Sequence, residues 1–358
     1  MTQARIAVIG TGWWSNFTHV PGLLDNPRAN LVAVADTNPE TLSRCLEAYP
    51  GPKGYQDYQE MLEVEILDGI VVATSHASHH EITKDCLLAE THVMLEKPMV
   101  LSAIDAYDLV ETANSSGLEI IVGHPYHFAP AVLRAREVIT SGELGAVQCI
   151  KSLFTSACIE LYKGTPTHNT SVHPVMGPGK IYSDPIASGG GQGHLQLTHS
   201  SALTFFVTNL QPARVAAFMN NFDLQIGLDL VDAITARFKG GAVGTFTSTG
   251  NLTEHGQMEL NVYCKDGYLL LDALKGSLII RHFSGKEETM PAQEFEVANP
   301  RFATAANLVD VCLGLAPNGS PPPPAVASVE LLDAAYRSAA QDGVPVDIQS
   351  LLQSLGTS

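Results

Sequence analysis

Residues 5–12 read Arg5-Ile-Ala-Val-Ile-Gly10-Thr11-Gly12. A short apolar run this uniform predicts a strand buried on both faces, as in a parallel sheet. The Gly10-x-Gly12 that follows predicts a tight turn where backbone can approach a diphosphate with no Cβ in the way. A helix opening beyond it would present free N–H groups to the phosphates. Ser15 stands at the third fingerprint position, where Gly or Ala is usual, and is small enough for close helix–strand packing. A second strand, Leu31–Ala35, ends at Asp36, 24 residues after Gly12. That is close to the ~20-residue spacing at which an acid meets a ribose 2′-hydroxyl. Because a carboxylate repels a 2′-phosphate, Asp36 predicts NAD rather than NADP. Trp13 and Trp14 directly follow the turn. One indole could seal the helix against the sheet, lie along the diphosphate, or line a pocket.

A second signal is Glu96-Lys97-Pro98, placed after the apolar run His92–Leu95. Ligands of open parallel sheets bind at the carboxyl ends of strands. Pro98 stiffens the exit and biases Lys97 to extended backbone. A lysine held there, and partly desolvated, can trade protons. The plainer alternative is an inert surface Glu–Lys pair.

Strands alternate with helices over the first ~120 residues, which predicts a doubly wound sheet. Asn38-Pro39 starts one helix, Ser102 with Asp105 resembles a capping box, and Gly117 stops that helix. Asp68–Thr74 and Glu119–Val122 supply further strands, and a dinucleotide-binding unit over residues 1–123 closes at Gly123. Beyond it the pattern changes. Alternation at 147–155, 213–219, 229–238, 242–249, 258–264 and 268–273 predicts a large, open, mostly antiparallel sheet. This is an α+β unit over 124–358, for substrate binding and oligomerisation. Gly189-Gly-Gly191 opens a helix that runs to about Thr208, and 302–315 and 326–340 read as closing helices. Pro321–Pro324 reads as a stiff spacer, and 160–187 as a long polar loop.

The charge balance excludes some function classes. With 37 Asp and Glu against 20 Lys and Arg, the net charge is −17, and no basic cluster offers a footprint for nucleic acid. No apolar run reaches the ~18 residues of a membrane span. The chain starts straight into a strand with no signal-peptide pattern, so a cytoplasmic location is expected. The six cysteines lie far apart and read as free thiols. His76, His79 and His80 cluster, and His168 and His173 share the long loop. No close-set Cys or carboxylate completes a zinc set, so no metal is expected.

Taken in order, Gly10-Thr-Gly12, Thr74-x-x-x-x-His79, Glu96-Lys97-Pro98, Gly189-Gly-Gly191 with His199, and Ala334-Ala-Tyr-Arg-Ser338 resemble the Gfo/Idh/MocA family over nearly the whole chain. This is the glucose–fructose oxidoreductase and inositol dehydrogenase family. The resemblance implies a Rossmann domain with NAD bound by Gly10, Thr11, Gly12, Trp13, Trp14, Asp36, Thr74, Ser75, His76, His79, Glu96 and Lys97. It also implies hydride transfer at a hydroxyl carbon of a sugar, cyclitol or related polyol, and a homo-oligomer built through the open sheet. Lys97 would bridge the cofactor ribose and the reacting hydroxyl, and His199 would be the general acid/base. Tyr126, His127 and Gln196 would complete the substrate site. Two other readings fit the same resemblance: a glycoside-cleaving enzyme that works by transient oxidation and elimination, and a non-catalytic NAD(H)-binding sensor. The sequence departs from the family at three places. The Asp usual four residues before the histidine is Leu195, Thr-Pro-Asn is Thr74-Ser75-His76, and the segment after Gly123 is His124-Pro-Tyr-His-Phe128.

Overall fold

The computed structural model describes residues 2–165, 175, 177, 179–222, 224, 227–253 and 256–354. His168 and His173 lie outside the described residues, as does part of the 160–187 segment. The first sheet has six parallel strands: β1 (Ala4–Ile9), β2 (Ala29–Ala35), β3 (Lys53–Tyr55), β4 (Gly69–Val72), β5 (His92–Leu95) and β6 (Ile120–Val122). Their order is β3-β2-β1-β4-β5-β6, so the order reverses between β1 and β4, and a crevice opens there at the carboxyl ends. β4 and β6 are buried at every residue, as strands covered on both faces must be.

The second sheet has nine strands: β7 (Val147–Thr155), β8 (Pro212–Asn220), β9 (Val231–Phe238), β10 (Val243–Thr249), β11 (Gln257–Cys264), β12 (Gly267–Asp272), β13 (Ser277–His282), β14 (Glu287–Met290) and β15 (Val346–Asp347). Their order is β14-β13-β12-β11-β7-β10-β9-β8-β15. All pairs are antiparallel except β7 with β10. Helices Pro130–Thr140, Thr198–Thr208 and Pro322–Ala339 cover one face and share its apolar core. On the other face alternate residues of β9 and β10 are exposed, which matches the open sheet expected. β3, β13, β14 and β15 went unread in the sequence, and of these β3, β14 and β15 are short strands at sheet edges. The helix Ala303–Cys312 returns to pack on the first sheet through Ala305, Leu308 and Val309. Residues beyond 124 therefore complete the first core.

One expectation is corrected. Pro321 caps a helix, and Pro322, Pro323 and Pro324 form its first turn. First-turn N–H groups have no intrahelical acceptor, so prolines there forfeit nothing and pre-set φ.

Three segments remote in sequence fix the Gly189–Gly191 corner. Asp229 accepts the N–H of Gly191 on Oδ1 (2.8 Å) and of Gly193 on Oδ2 (2.7 Å), and the Tyr336 hydroxyl also donates to Oδ1 (2.8 Å). A Cβ on Gly191 would lie 2.0 Å from the Asp229 carbonyl oxygen, so any larger residue would break the clamp. Behind it Asp232 is fully buried, and neither of its carboxyl oxygens has a donor. Burial first, then the charge of the nearby Asp229 carboxylate, pushes the Asp232 pKa well above the ordinary carboxyl value, so it keeps its proton.

A carboxyl protonated when folded but ionised when unfolded loses stability as pH rises above ~4, at up to about 1.4 kcal/mol per pH unit. Asp232→Asn should therefore raise the melting temperature at pH 8, and the gain should vanish toward pH 4. Parallel melting curves for both proteins across pH 4–8 would exclude a protonated Asp232.

Candidate active site

Gly10 takes φ +91°, and a Cβ there would sit 2.4 Å from the Ala73 carbonyl oxygen at the exit of β4. A Cβ on Gly12 would meet nothing within 4 Å, so open space lies where a diphosphate would approach. Ser15 does more than fit: its hydroxyl donates to the Gly10 carbonyl, and the Asn16 amide donates to the carbonyls of Thr11 and Gly12. Asp36 is locked beside the turn. Its Oδ2 accepts the Thr11 N–H (2.8 Å) and hydroxyl (3.1 Å), while Oδ1 accepts the Asn38 N–H (2.9 Å). The residues present therefore fit a dinucleotide: glycine turn, clear space, and a fixed carboxylate at the end of the next strand.

A cavity of about 230 Å³ opens where the two sheets meet. From the first sheet it takes Trp13, Trp14, Thr74, His76, Glu96 and Lys97. From the second half it takes Tyr126, Phe154, Tyr182, Leu195, Gln196, His199, Asn299 and Arg301. Of the sixteen expected site residues, nine line this space. Ser75 and His79 do not line it. His79 is buried, bonding the carbonyls of Pro98 (2.8 Å) and Thr74 (3.3 Å). His127 is turned away: its ring lies flat on Phe206, 4.0 Å between centres, and Nδ1 meets the Ser320 hydroxyl at 2.8 Å. The expectation that His127 faces substrate is thus corrected, because the 3-10 turn Pro125–Phe128 sends Tyr126 to the cavity and its neighbour into the core.

Glu96 is not a surface partner for Lys97. Its Oε1 accepts Trp14 Nε1 (2.9 Å) and meets His19 Nε2 (2.8 Å), and its Oε2 accepts the Lys97 N–H (3.1 Å). Burial would raise its pKa, but the His19 bond and charge, with Lys97 and Trp14, outweigh that and hold it at about 2. The Lys97 ammonium instead donates to the Leu195 carbonyl at 2.8 Å. Burial depresses its pKa, and the nearby Glu96 and Cys158 only partly oppose this. Leu195 lies in a π-helical turn, Gly193–Leu197, just before His199; such turns recur at functional sites.

The His199 ring stacks on Phe154 (6.0 Å between centres, 18°) and takes Tyr126 and His124 edge-on at 6.2 and 6.1 Å. Burial, then Lys97, His124 and His127, hold its pKa well below the ordinary histidine value. Leu195, where relatives in the resemblance carry Asp, packs in an apolar cluster with Cys158, Tyr162, Leu224, Leu228 and Leu230. Gln196 lines the cavity, but its amide donates to Cys158 Sγ at 3.0 Å and not to His199. Beneath lies His124, 2 % exposed, with neither ring nitrogen partnered and a pKa pushed down to about 3 by burial. His194 turns aside onto the Tyr336 ring. Among the described residues, no three His, Cys, Asp or Glu side chains form a metal set. Tyr182 comes from the long loop that the sequence reading expected to face the cleft. That reading missed His19, Phe154, Asn299 and Arg301. They come from segments with no motif, and only the fold brings them together.

Residues 4–124 match the family described as an oxidoreductase family with an NAD-binding Rossmann fold, and residues 132–270 match the GFO/IDH/MocA C-terminal domain. The chain belongs to the GFO/IDH/MocA family, and its first sheet is that family's NAD-binding Rossmann fold. Among curated proteins it is similar to a 1-carboxy-3-chloro-3,4-dihydroxycyclohexa-1,5-diene dehydrogenase of Comamonas testosteroni. The two are 31% identical over 42% of this chain and 37% of that protein. It is also similar to trans-1,2-dihydrobenzene-1,2-diol dehydrogenase of Bos taurus, 24% identical over 65% of this chain and 64% of that protein. The chain thus spans under two thirds of the length of these relatives. In fold it resembles an inositol dehydrogenase homologue complexed with NAD+ from Azotobacter vinelandii. That match has a TM-score of 0.81 and 20% identity, and covers 97% of each chain.

The locked Asp36 generates a test. Asp36→Ser combined with Thr37→Arg removes the carboxylate and adds a cation, so NAD should weaken by tenfold or more, a change of about 1.4 kcal/mol, while NADP gains. Calorimetric titration of both nucleotides on both proteins measures this. Tighter NADP binding by the wild type would overturn the role of Asp36.

Proposed function

We propose that this protein is an NAD-dependent oxidoreductase that moves a hydride between nicotinamide and a hydroxyl carbon of a small cyclic polyol, sugar or cyclitol. The observation that carries this reading is the convergence of Lys97 and His199 on one small cavity at the carboxyl end of β5. Relatives whose names are diol and sugar dehydrogenases support it. The bound nicotinamide would supply the hydride acceptor. Gly10, Thr11, Gly12, Asp36 and Thr74 would seat the dinucleotide, and Trp13, Trp14 and His76 would close around it. Lys97, desolvated and cationic, would donate to the substrate hydroxyl oxygen and stabilise the developing alkoxide. His199, kept neutral by its surroundings, would take the hydroxyl proton as the C–H hydride leaves. Tyr126 and Gln196 would orient the ring. We read the protein as cytoplasmic and as a homo-oligomer joined through the exposed face of the second sheet. We place the division between its two units at residues 123 and 124.

Lys97→Met should cut turnover by about 10²–10⁴-fold with a much smaller effect on NAD affinity, because the lost interaction belongs to the transition state. A few-fold loss on the true substrate would remove Lys97 from the chemistry. The pH dependence has a defined sign. A base whose folded pKa lies below the ordinary ~6.5 stays competent into acid, so the acid limb of kcat should fall below pH 6.5. His199→Asn should depress kcat and erase that limb. A screen of cyclitols, aldoses and glycosides with NAD should accumulate NADH; bond cleavage without NADH would mark transient oxidation instead.

A further inference from the structure

Arg301 enters the cavity that holds Lys97 and His199, and the proposed reaction gives its guanidinium no task. Its central carbon sits 4.5 Å from the centre of the Phe17 ring and 4.7 Å from that of Phe302. Phe17 itself rests on Trp13 and Trp14, at 6.3 and 5.7 Å between ring centres, and Phe302 sits over Gly22, where a Cβ would be only 2.8 Å from the ring. The arginine is thus held by a wall continuous with the cavity lining. The guanidinium carbon lies over both rings, and among the described residues its N–H fork, the group that matches a carboxylate, makes no side-chain hydrogen bond. The chain carries 37 acids for 20 Lys and Arg, yet among the described residues no carboxylate pairs with Arg301. Several other arginines do have one: Arg28 pairs with Asp310, Arg134 with Glu288 and Arg337 with Asp333.

We propose that Arg301 is the seat for a carboxylate carried by the substrate, so that the preferred substrate is a small ring polyol acid and not a neutral sugar. The inference rests on the hydride-transfer reading for what happens to that substrate, but the seat itself is a binding claim. The cavity, at about 230 Å³, is smaller than the ~300–1,000 Å³ of most ligand pockets, which favours a small occupant. Asn299, two residues before Arg301, also reaches the cavity and adds an amide donor.

The experiment is a calorimetric titration of NAD-loaded protein with matched pairs: quinate against myo-inositol, and galacturonate against galactose. The wild type should bind the acid of at least one pair about 10- to 100-fold more tightly, as a charge-assisted bidentate contact would give. Arg301→Leu should abolish that ratio, and Arg301→Lys should keep part of it, retaining the charge but not the fork. Neutral members binding as tightly as the acids, or an acid preference that survives Arg301→Leu, would overturn the proposal. So would a loss confined to NAD affinity, which would assign Arg301 to the cofactor diphosphate. If Arg301→Leu fails to fold, judged by circular dichroism, Arg301→Gln and Arg301→Lys carry the same comparison. NADH formation, followed in parallel, tests the reaction separately: an Arg301-dependent acid preference without NADH would leave the seat and remove the hydride-transfer reading.

Discussion

The hydrogen bond from the Lys97 ammonium to the Leu195 carbonyl joins the two halves of the molecule at the point where chemistry would occur. Lys97 leaves the carboxyl end of a buried strand in the first sheet, and Leu195 belongs to the turn that delivers His199 from the second. Neither end can drift. On one side Glu96 is fixed by Trp14 and His19. On the other the Asp229 carboxylate holds the N–H groups of Gly191 and Gly193 and is itself held by Tyr336. The glycines are required because Asp229 backbone and the Tyr336 ring lie where side chains would project. A site supported in this way keeps its geometry without depending on mobile loops.

The electrostatics of the cavity run against those of the chain. The protein is strongly acidic, yet the acid nearest the cavity, Glu96, directs its oxygens to Trp14, His19 and the Lys97 backbone. That arrangement leaves the Lys97 ammonium without a carboxylate of its own and lowers its proton affinity through burial. The neighbouring histidines His76, His124 and His199 are all driven toward the neutral form by desolvation and by Lys97. One cation among neutral rings stabilises a developing alkoxide better than a cation already neutralised by an adjacent acid.

How much of this was legible depends on how local each signal is. Gly10, Gly12 and Asp36 could be read because a tight turn and an adjacent strand end impose their residue types over a short span. The capping Ser102 and the stop at Gly117 were readable for the same reason. The prolines 321–324 were misread because composition suggests a linker, and only the following helix shows that they occupy its unpaired first turn. His127 was misassigned because a 3-10 turn alternates its side chains between cavity and core, which residue type does not reveal. Arg301 and Phe154 lie more than 140 residues apart, and His19 lies more than 130 residues before Phe154. No spacing rule connects them, because the connection exists only once the two sheets are packed together.

The replacement of the usual Asp by Leu195 ties these features to one another. In an Asp–His pair the carboxylate favours imidazolium and shares the proton. Here the leucine side chain joins an apolar cluster, while its carbonyl oxygen is given to Lys97. The residue that would have charged His199 instead positions the lysine, and the ring is left between Phe154, Tyr126 and His124. A base made neutral by burial works without a carboxylate to orient it only if its ring is fixed by packing, and the stacked Phe154 with two edge-on rings provides that. In the proposed reaction charge would be concentrated on Lys97 and proton exchange left to His199, with the two coupled through the backbone of a single residue.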